Sequence, residues 1–231
     1  MYIYMKIVIY SCNFGNYRNE FNNYYNMNFD ENIDYVLFTD KLLTQTNLDN
    51  LKKWKVCNMD ISASNDIMDF NRWRSKRTKF ILPEQIKNYD IIIWIDSKMI
   101  NKPNTMKNMT YQHITELVTT HPTCSIFNIK HPTRKTMQQE LSVTIVNRLE
   151  NKPAGGYFMD LLGNYVSKFD LPDTSVIIRK NELAVNVAFE YCMELMTTYK
   201  LKRDQNIYNF ALDAKDVTPI LLDYNLITCK Q

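Results

Sequence analysis

The fold is decided by eight consecutive residues, Ile91-Ile92-Ile93-Trp94-Ile95-Asp96-Ser97-Lys98. The first five side chains are apolar, which is typical of a short strand buried on both faces of a parallel sheet. The run then stops at a carboxylate and an ammonium two residues apart. Since ligands of open α/β sheets bind beyond the carboxyl ends of the strands, we expect Asp96 and Lys98 at a ligand site.

The segments around this strand alternate between strand and helix patterns. β-Branched and aromatic runs predict further strands at 3–10, 35–39, 54–56, 125–129 and 175–178. Apolar spacing predicts helices over 69–87, broken at Pro83, over 141–149, over 183–196 and over 203–212. The segment 152–156 should break the helix before it, with Gly155 and Gly156 in a mobile loop. This alternation predicts an α/β fold, a single domain over 1–231 with a central, mostly parallel sheet flanked by helices.

The composition excludes several classes of protein. Only 4 of the 231 residues are glycine, whereas glycine usually makes up ~7% of a protein. It contains neither of the glycine-rich loops that cradle phosphates, so side chains must hold any phosphorylated ligand. The net charge of +3 is weak for a nonspecific nucleic-acid binder. Frequent Asn, Lys, Ile and Tyr suggest an AT-rich genome, such as that of a large virus or a protist.

The sequence also predicts a compartment. The 5 cysteines are odd in number and widely spaced, without a C-x-x-C pair, which is typical of reduced thiols. The apolar N-terminal segment is broken by Lys6 and is interpreted as a strand rather than a signal peptide. The run Ile91–Ile95 is far shorter than the ~20 residues of a membrane-spanning helix. We therefore expect a protein of the cytoplasm, or of the host cytoplasm if the source is viral.

Polar residues follow several predicted strands. Each could be an ordinary turn residue, but together they predict one rim of ligand-binding groups. Asp96, at the end of a buried run, could hold a divalent metal that bridges a pyrophosphate, and Lys98 could contact phosphate directly. The other residues of the predicted rim are Ser11, Asn13, Phe14, Gly15, Asp40, Lys130, His131, Pro132, Thr133 and Arg134.

Three further features have competing interpretations. The five basic residues within 71–79 could form a solvated helix face, a phosphate-binding face or, through 72–79, a nucleic-acid patch. His131 clusters with Arg134 and Glu140, and it could bind a metal or substrate or be a structural histidine. Asp204 could be catalytic, or it could simply suit the first turn of a helix.

The motifs, in their order along the chain, resemble a known family. The set comprises 4–15, Tyr35-Val36-Leu37-Phe38-Thr39-Asp40, Lys76-x-x-Lys79, Ile93-Trp94-Ile95-Asp96-Ser97-Lys98, His131-x-x-Arg134 with Gln139-Glu140, Val176-Ile177-Ile178-Arg179 and Arg203-Asp204-Gln205. It resembles the glycosyltransferase-like family, long a domain of unknown function, that includes a plant protein linked to seed mucilage. The resemblance covers about residues 3 to 212 and implies a GT-A-like fold.

The resemblance implies transfer of a sugar, hexosyl in character, from a nucleotide-sugar donor, with a UDP-sugar expected, to a glycan or protein acceptor. It places the nucleobase and ribose near Ser11, Cys12, Asn13, Phe14 and Asp40. The Asp-x-Asp position, which usually holds Mn²⁺ or Mg²⁺ against the diphosphate, falls on Asp96 and Lys98. The Asp-x-Lys pattern belongs to the family itself and leaves the need for a metal open.

The chemistry of such a transfer suggests roles for charged residues. Lys76, Lys79, Lys98 and Arg134 could stabilise the departing diphosphate, beside His131. If configuration inverts, Asp204 is the first candidate for the general base and Glu140 the second; if it is retained, Asp204 or Gln205 would lie beside the anomeric carbon. Two alternatives stay open: an inactive GT-A-like fold that binds nucleotide or glycan, and a nucleic-acid-binding protein, although no nucleic-acid partner is expected.

Overall fold

A mixed sheet lies at the centre of the fold. The computed structural model describes residues 4–15, 21–25, 27–59, 70–100, 105 and 107–223, and these contain a sheet of seven strands in the order β3-β2-β1-β4-β6-β5-β7. β6 runs antiparallel to β4 and β5, and all other neighbouring strands are parallel. The strands are β1 (Ile7–Asn13), β2 (Asp34–Thr39), β3 (Trp54–Asn58), β4 (Ile91–Ile95), β5 (Ile126–Lys130), β6 (Pro172–Lys180) and β7 (Ile220–Leu222).

Helices connect the strands and cover both faces of the sheet. The α-helices are α1 (Gln45–Leu51), α2 (Phe70–Phe80), α3 (Ser97–Ile100), α4 (Tyr111–Thr120), α5 (Met137–Val146), α6 (Lys152–Leu162), α7 (Leu183–Thr198) and α8 (Tyr208–Asp213). Single 3₁₀ turns cover Phe21–Tyr24, Glu84–Ile86 and Asp204–Asn206. Among the described residues, no helix is long and apolar enough to cross a membrane.

Strand geometry divides the core into two layers. Successive side chains of a strand point to opposite faces. In β1, Val8 and Tyr10 therefore join the cluster under α2 and α7, whereas Ile7 and Ile9 join the cluster under α4. β4 alternates in the same way, and all five of its residues are buried. The prediction of an α/β fold with a mostly parallel sheet and a doubly buried central strand is confirmed, although one neighbour of β4 is antiparallel.

The direction of β6 matters most for the site. The sequence predicted a strand at 175–178 without predicting its direction. Because β6 is reversed, its first residues lie beside the last residues of β4: Ile95 pairs with Val176, and the Asp96 amide donates to the Ser175 carbonyl (2.8 Å). Asp173 and Thr174 consequently reach the edge where the parallel strands β1 and β4 end.

The prediction for 152–156 was wrong. This segment lies within α6, which has Pro in its first turn, where the missing amide hydrogen costs nothing. Gly155 packs against the side chain of Ile145, and an added Cβ would lie 2.9 Å from that side chain. The two glycines therefore belong to a helix, not to a mobile loop. The preceding helix, α5, ends at Val146, so Leu149, which the sequence placed on the helical stripe, lies beyond the end of the helix.

Other boundaries also differ from the sequence prediction. β1 runs to Asn13 rather than stopping at Tyr10, because Asn13 still pairs with Thr39 of β2. The helix predicted over 203–212 is a 3₁₀ turn followed by α8. Helices α1, α3, α4 and α6 and strand β7 were not predicted. Residues 3 and 69, the first residues of a predicted strand and a predicted helix, lie outside the described residues.

Candidate functional site

A cleft opens at the sheet edge where β1 and β4 end and β6 begins. Helices α2 and α3 and the segment that follows α7 complete its walls. It is therefore at the edge where the sequence predicted a ligand site. The lining residues are Cys12, Asn13, Phe14, Asn71, Arg72, Ser75, Lys76, Trp94, Asp96, Ser97, Lys98, Asp173, Thr174, Ser175, Lys202, Arg203, Asp204 and Gln205.

A buried ion-pair cluster forms the floor of the cleft. Asp204 Oδ1 lies 2.7 Å from Lys76 Nζ, and Oδ2 lies 2.6 Å from Lys79 Nζ. Thr174 Oγ1 also donates to Oδ2 (2.9 Å). Burial alone would raise the pKa of Asp204, but the two lysine charges hold it well below its usual range. Asp204 is therefore an anion whose two oxygens are both engaged.

The two lysines of this cluster differ in exposure. The side chain of Lys79 is fully buried, and its pKa is lowered because burial outweighs the attraction of Asp204. The side chain of Lys76 is 18% exposed; burial lowers its pKa, but Asp204 and then Asp96 more than compensate, so the pKa is raised. Lys76 thus keeps its charge at the cleft surface, whereas Lys79 supports Asp204 from below.

Arg203 is held in the cleft wall by groups behind it. Its Nη2 lies 3.3 Å from Glu140 Oε1 and donates to Gln205 Oε1 (2.8 Å). Glu140 is fully buried and also pairs with Arg134. The buried Glu150 accepts the backbone amides of Lys202 and Arg203 (2.9 and 3.0 Å). These contacts orient the guanidinium before any ligand arrives.

Two carboxylates of the cleft face it more openly. Asp96 Oδ1 accepts from Trp94 Nε1 (2.8 Å), and Oδ2 lies 3.8 Å from Lys98 Nζ. Asp173 Oδ1 accepts from the Ser175 amide (2.8 Å). Among the described residues, no donor lies within hydrogen-bond distance of Asp173 Oδ2. Asp173 is therefore the lining carboxylate that keeps one oxygen open to a ligand.

The turn after β1 forms another part of the wall. Asp40 Oδ1 accepts from the Gly15 amide (2.9 Å), and Oδ2 pairs with Arg74 Nη2 (2.5 Å). The Arg74 guanidinium stacks over the ring of Phe14 at 5.0 Å. Burial opposes ionisation of Asp40, but the Gly15 and Arg74 contacts lower its pKa overall. Asp40 therefore fixes the turn that presents Asn13 and Phe14 to the cleft.

The cleft brings together eight of the predicted site residues: Cys12, Asn13, Phe14, Lys76, Asp96, Lys98, Asp204 and Gln205. Burial raises the pKa of the Cys12 thiol to about 12, so it is a neutral wall group. The sequence analysis did not single out Asp173, Thr174 and Lys202 as site residues. Asp173 and Thr174 reach the cleft because β6 is reversed, and Lys202 reaches it because it precedes the Arg203-Asp204-Gln205 motif. The spacing of residues in the sequence does not show the direction of a strand or the path of a loop.

Six predicted site residues lie outside the cleft lining: Ser11, Asp40, Lys79, His131, Arg134 and Glu140. Ser11 is fully buried, and its hydroxyl donates to the Ile95 carbonyl (2.7 Å). His131 Nδ1 accepts the Arg134 amide (3.0 Å), and its pKa is lowered by burial and then by the Arg134 charge. His131 is thus a neutral structural histidine that closes a turn. Arg134 and Glu140 support Arg203 from behind.

The basic segment on α2 is not a solvated face. Arg74 pairs with Asp40, and Lys76 and Lys79 pair with Asp204. Arg74 and Lys79 are buried, and Arg72 and Arg77 are partly buried. The geometry favours the phosphate-binding interpretation for the side that faces the cleft, and it leaves few of these cations for a nucleic-acid backbone.

The donor set for a divalent metal is incomplete. Mg²⁺ sites near phosphates use one or two carboxylates together with the phosphates. Asp96, the predicted ligand, faces the Lys98 ammonium, and Asp204 is closed by two lysines. The described residues contain no group of three or more His, Cys, Asp or Glu that could hold a metal by itself. Because an ammonium lies beside Asp96 and two lie on Asp204, these two carboxylates do not fit a resident metal ion.

No protein-family model and no curated protein matches this chain.

Proposed function

We propose that this chain is a glycosyltransferase of GT-A-like fold that moves a sugar from a nucleotide-sugar donor, a UDP-sugar, to a glycan or protein acceptor. The observation that carries the proposal is the cleft itself. It lies at the carboxyl edge of the parallel strands and joins the Asp96-Ser97-Lys98 and Asp204-Gln205 motifs, which are distant in sequence. Its surplus of cations suits a diphosphate.

The reaction gives roles to three charged groups of the cleft: Lys76, Arg203 and Asp173. The bond between the anomeric carbon and the diphosphate oxygen breaks, and its electron pair leaves with the nucleoside diphosphate. Lys76 and Arg203, already oriented by Asp204 and Glu140, stabilise that growing negative charge. In an inverting transfer, Asp173 takes the proton of the acceptor hydroxyl as the new carbon–oxygen bond forms.

Asp173 is a better general base than the two carboxylates predicted from the sequence. Asp204 carries two ammonium partners that depress its pKa, so it binds a proton poorly. Glu140 is enclosed behind Arg203. We therefore propose that Asp204 orients Lys76 and that Asp173 acts on the acceptor.

A donor screen and one matched pair of variants test the proposal. UDP-sugars and GDP-sugars are screened for an increase in Tm and then for slow hydrolysis, since a ligand of the native state raises Tm. D173N should keep donor binding but lose catalysis by roughly 10²-fold or more. The control D170N alters an exposed carboxylate of the same loop, paired with Lys130, and should leave both unchanged. If no nucleotide sugar raises Tm or is hydrolysed, the proposal is wrong.

A fold that binds nucleotide without transfer is the second candidate. The closed carboxylate of Asp204 favours it, because the motif residue expected to be catalytic is committed to two lysines. In that case, nucleotides raise Tm, but no donor is hydrolysed by the wild type.

A further inference from the structure

We infer that the cleft holds the diphosphate of its ligand through lysine and arginine side chains in place of a divalent cation. This rests on the proposed function and specifies how its donor is bound. The alternative is an ion shared between Asp96 and the phosphates.

The first argument is the state of Asp96. One of its oxygens accepts from the Trp94 indole, and the other faces an ammonium at 3.8 Å. A divalent cation on that oxygen would be repelled at short range by Lys98, whose side chain follows on α3. Lys98 already supplies positive charge beside the carboxylate, and its side chain is 55% exposed, so it can reach a ligand.

The second argument is the lack of an available partner carboxylate. Both oxygens of Asp204 lie within 2.7 Å of a lysine nitrogen. Asp173 commits one oxygen to the Ser175 amide. Among the described lining carboxylates, Asp173 alone keeps an oxygen, Oδ2, without a hydrogen bond or ion pair, and the proposed reaction uses that oxygen as the general base.

The third argument is the charge of the lining. Five lining residues are cationic (Arg72, Lys76, Lys98, Lys202 and Arg203), and three are carboxylates (Asp96, Asp173 and Asp204). The lining therefore has a net positive charge without a metal ion. Lys79, which lies beneath the cleft, is not part of this count. A dianionic diphosphate balances this surplus, and the partly exposed side chains of Lys98 and Arg203 can contact it through charge-assisted hydrogen bonds.

Calorimetry with UDP and inorganic pyrophosphate tests the inference. The wild type is titrated in excess EDTA and again in MnCl₂, and we expect equal affinities. K98M should weaken both ligands roughly tenfold or more, since a charge-assisted contact is lost. K55M, which removes an exposed lysine of the edge strand β3, is the matched control and should bind as the wild type does.

K98D gives an independent readout. It creates an Asp-x-Asp spacing and removes the repelling ammonium, so Mn²⁺ should tighten UDP binding to K98D but not to the wild type.

The outcomes separate this inference from the proposed function. Wild-type binding that appears only with Mn²⁺ overturns the inference and leaves the proposed function standing. Unchanged affinity in K98M also overturns the inference. If neither UDP nor pyrophosphate binds in EDTA or in MnCl₂, both the inference and the proposed function are wrong.

Discussion

At the residue scale, one carboxylate organises a lysine that lines the cleft and a second lysine buried beneath it. Asp204 ties Lys76 and Lys79 together, although 125 residues separate it from Lys79. A buried lysine is costly unless an anion lies beside it. The ion pair therefore lets the chain place an ammonium at the base of a binding site, and Lys76 presents that charge to the ligand.

Removing this carboxylate should destabilise the fold in a pH-dependent manner. D204N leaves two ammonium groups without their anion and should lower the free energy of unfolding at pH 7 by about 3–5 kcal/mol. The folded-state pKa of Asp204 is depressed, so its contribution is complete above the unfolded pKa of about 4 and is lost as pH falls toward the folded pKa. Urea unfolding at several pH values should therefore show the difference from wild type shrinking below about pH 4.

A surface carboxylate provides the control for this measurement. Asp216 is largely exposed and pairs with Lys168 at 2.8 Å, so D216N should change stability far less than D204N does, because water screens the pair. A D204N deficit that stays constant into acid would contradict the assigned role of the ion pair.

Residue-level chemistry explains which site residues the sequence could indicate. Asp96 and Lys98 follow an apolar run, so their position at the strand end was predictable. Asp173 was not, because its place in the cleft depends on the direction of β6. The supporting role of Glu150 was not predictable either, because the backbone amides that it accepts belong to Lys202 and Arg203, 52 and 53 residues later in the chain.

At the element scale, the turn after β1 depends on a glycine. Gly15 has φ +58°, and a Cβ there would lie 2.1 Å from Asn71 Nδ2 of α2. Its amide also holds Asp40. G15A should lower the free energy of unfolding by at least about 1–2 kcal/mol, because an L-residue is strained in this conformation. The same variant should weaken UDP binding, since the turn presents Asn13 and Phe14.

A second glycine offers a matched control of opposite sign. Gly156 lies within α6, and an added Cβ would meet nothing within 4 Å. G156A should therefore raise stability by about 0.5–1 kcal/mol through helix propensity and leave UDP affinity unchanged. Urea unfolding of both variants checks the pair, and equal effects of the two substitutions would contradict the structure of the turn.

Elements were predictable where the pattern was local. The α/β class and the buried strand β4 followed from runs of apolar residues, and the predicted break at Pro83 is present, since α2 ends at Phe80 and Pro83 precedes the 3₁₀ turn Glu84–Ile86. The predicted loop at Gly155 and Gly156 was wrong. Glycine usually destabilises a helix, but here Gly155 lets α6 pack closely against α5. Direction and pairing of strands depend on contacts between distant segments, which a local pattern does not contain.

At the scale of the whole molecule, the fold concentrates positive charge on one edge. The net charge is only +3, yet the cleft gathers five cations against three carboxylates. Elsewhere on α2, Arg74 is committed to Asp40. This distribution agrees with the proposed binding of a small anion, because a long polyanion would need a basic stripe across an exposed face.

This charge distribution predicts how salt affects binding. Raising ionic strength from about 0.01 M to about 0.1 M shortens the Debye length from about 30 Å to about 10 Å, so the attraction of the cleft for a diphosphate weakens. UDP affinity should then fall severalfold, whereas uridine, which has the same base and ribose but no phosphate, should change little. Calorimetry of the two ligands measures the contrast. Equal salt sensitivity of UDP and uridine would contradict a phosphate-binding cleft, and steeply salt-dependent RNA binding without UDP binding would favour the nucleic-acid alternative.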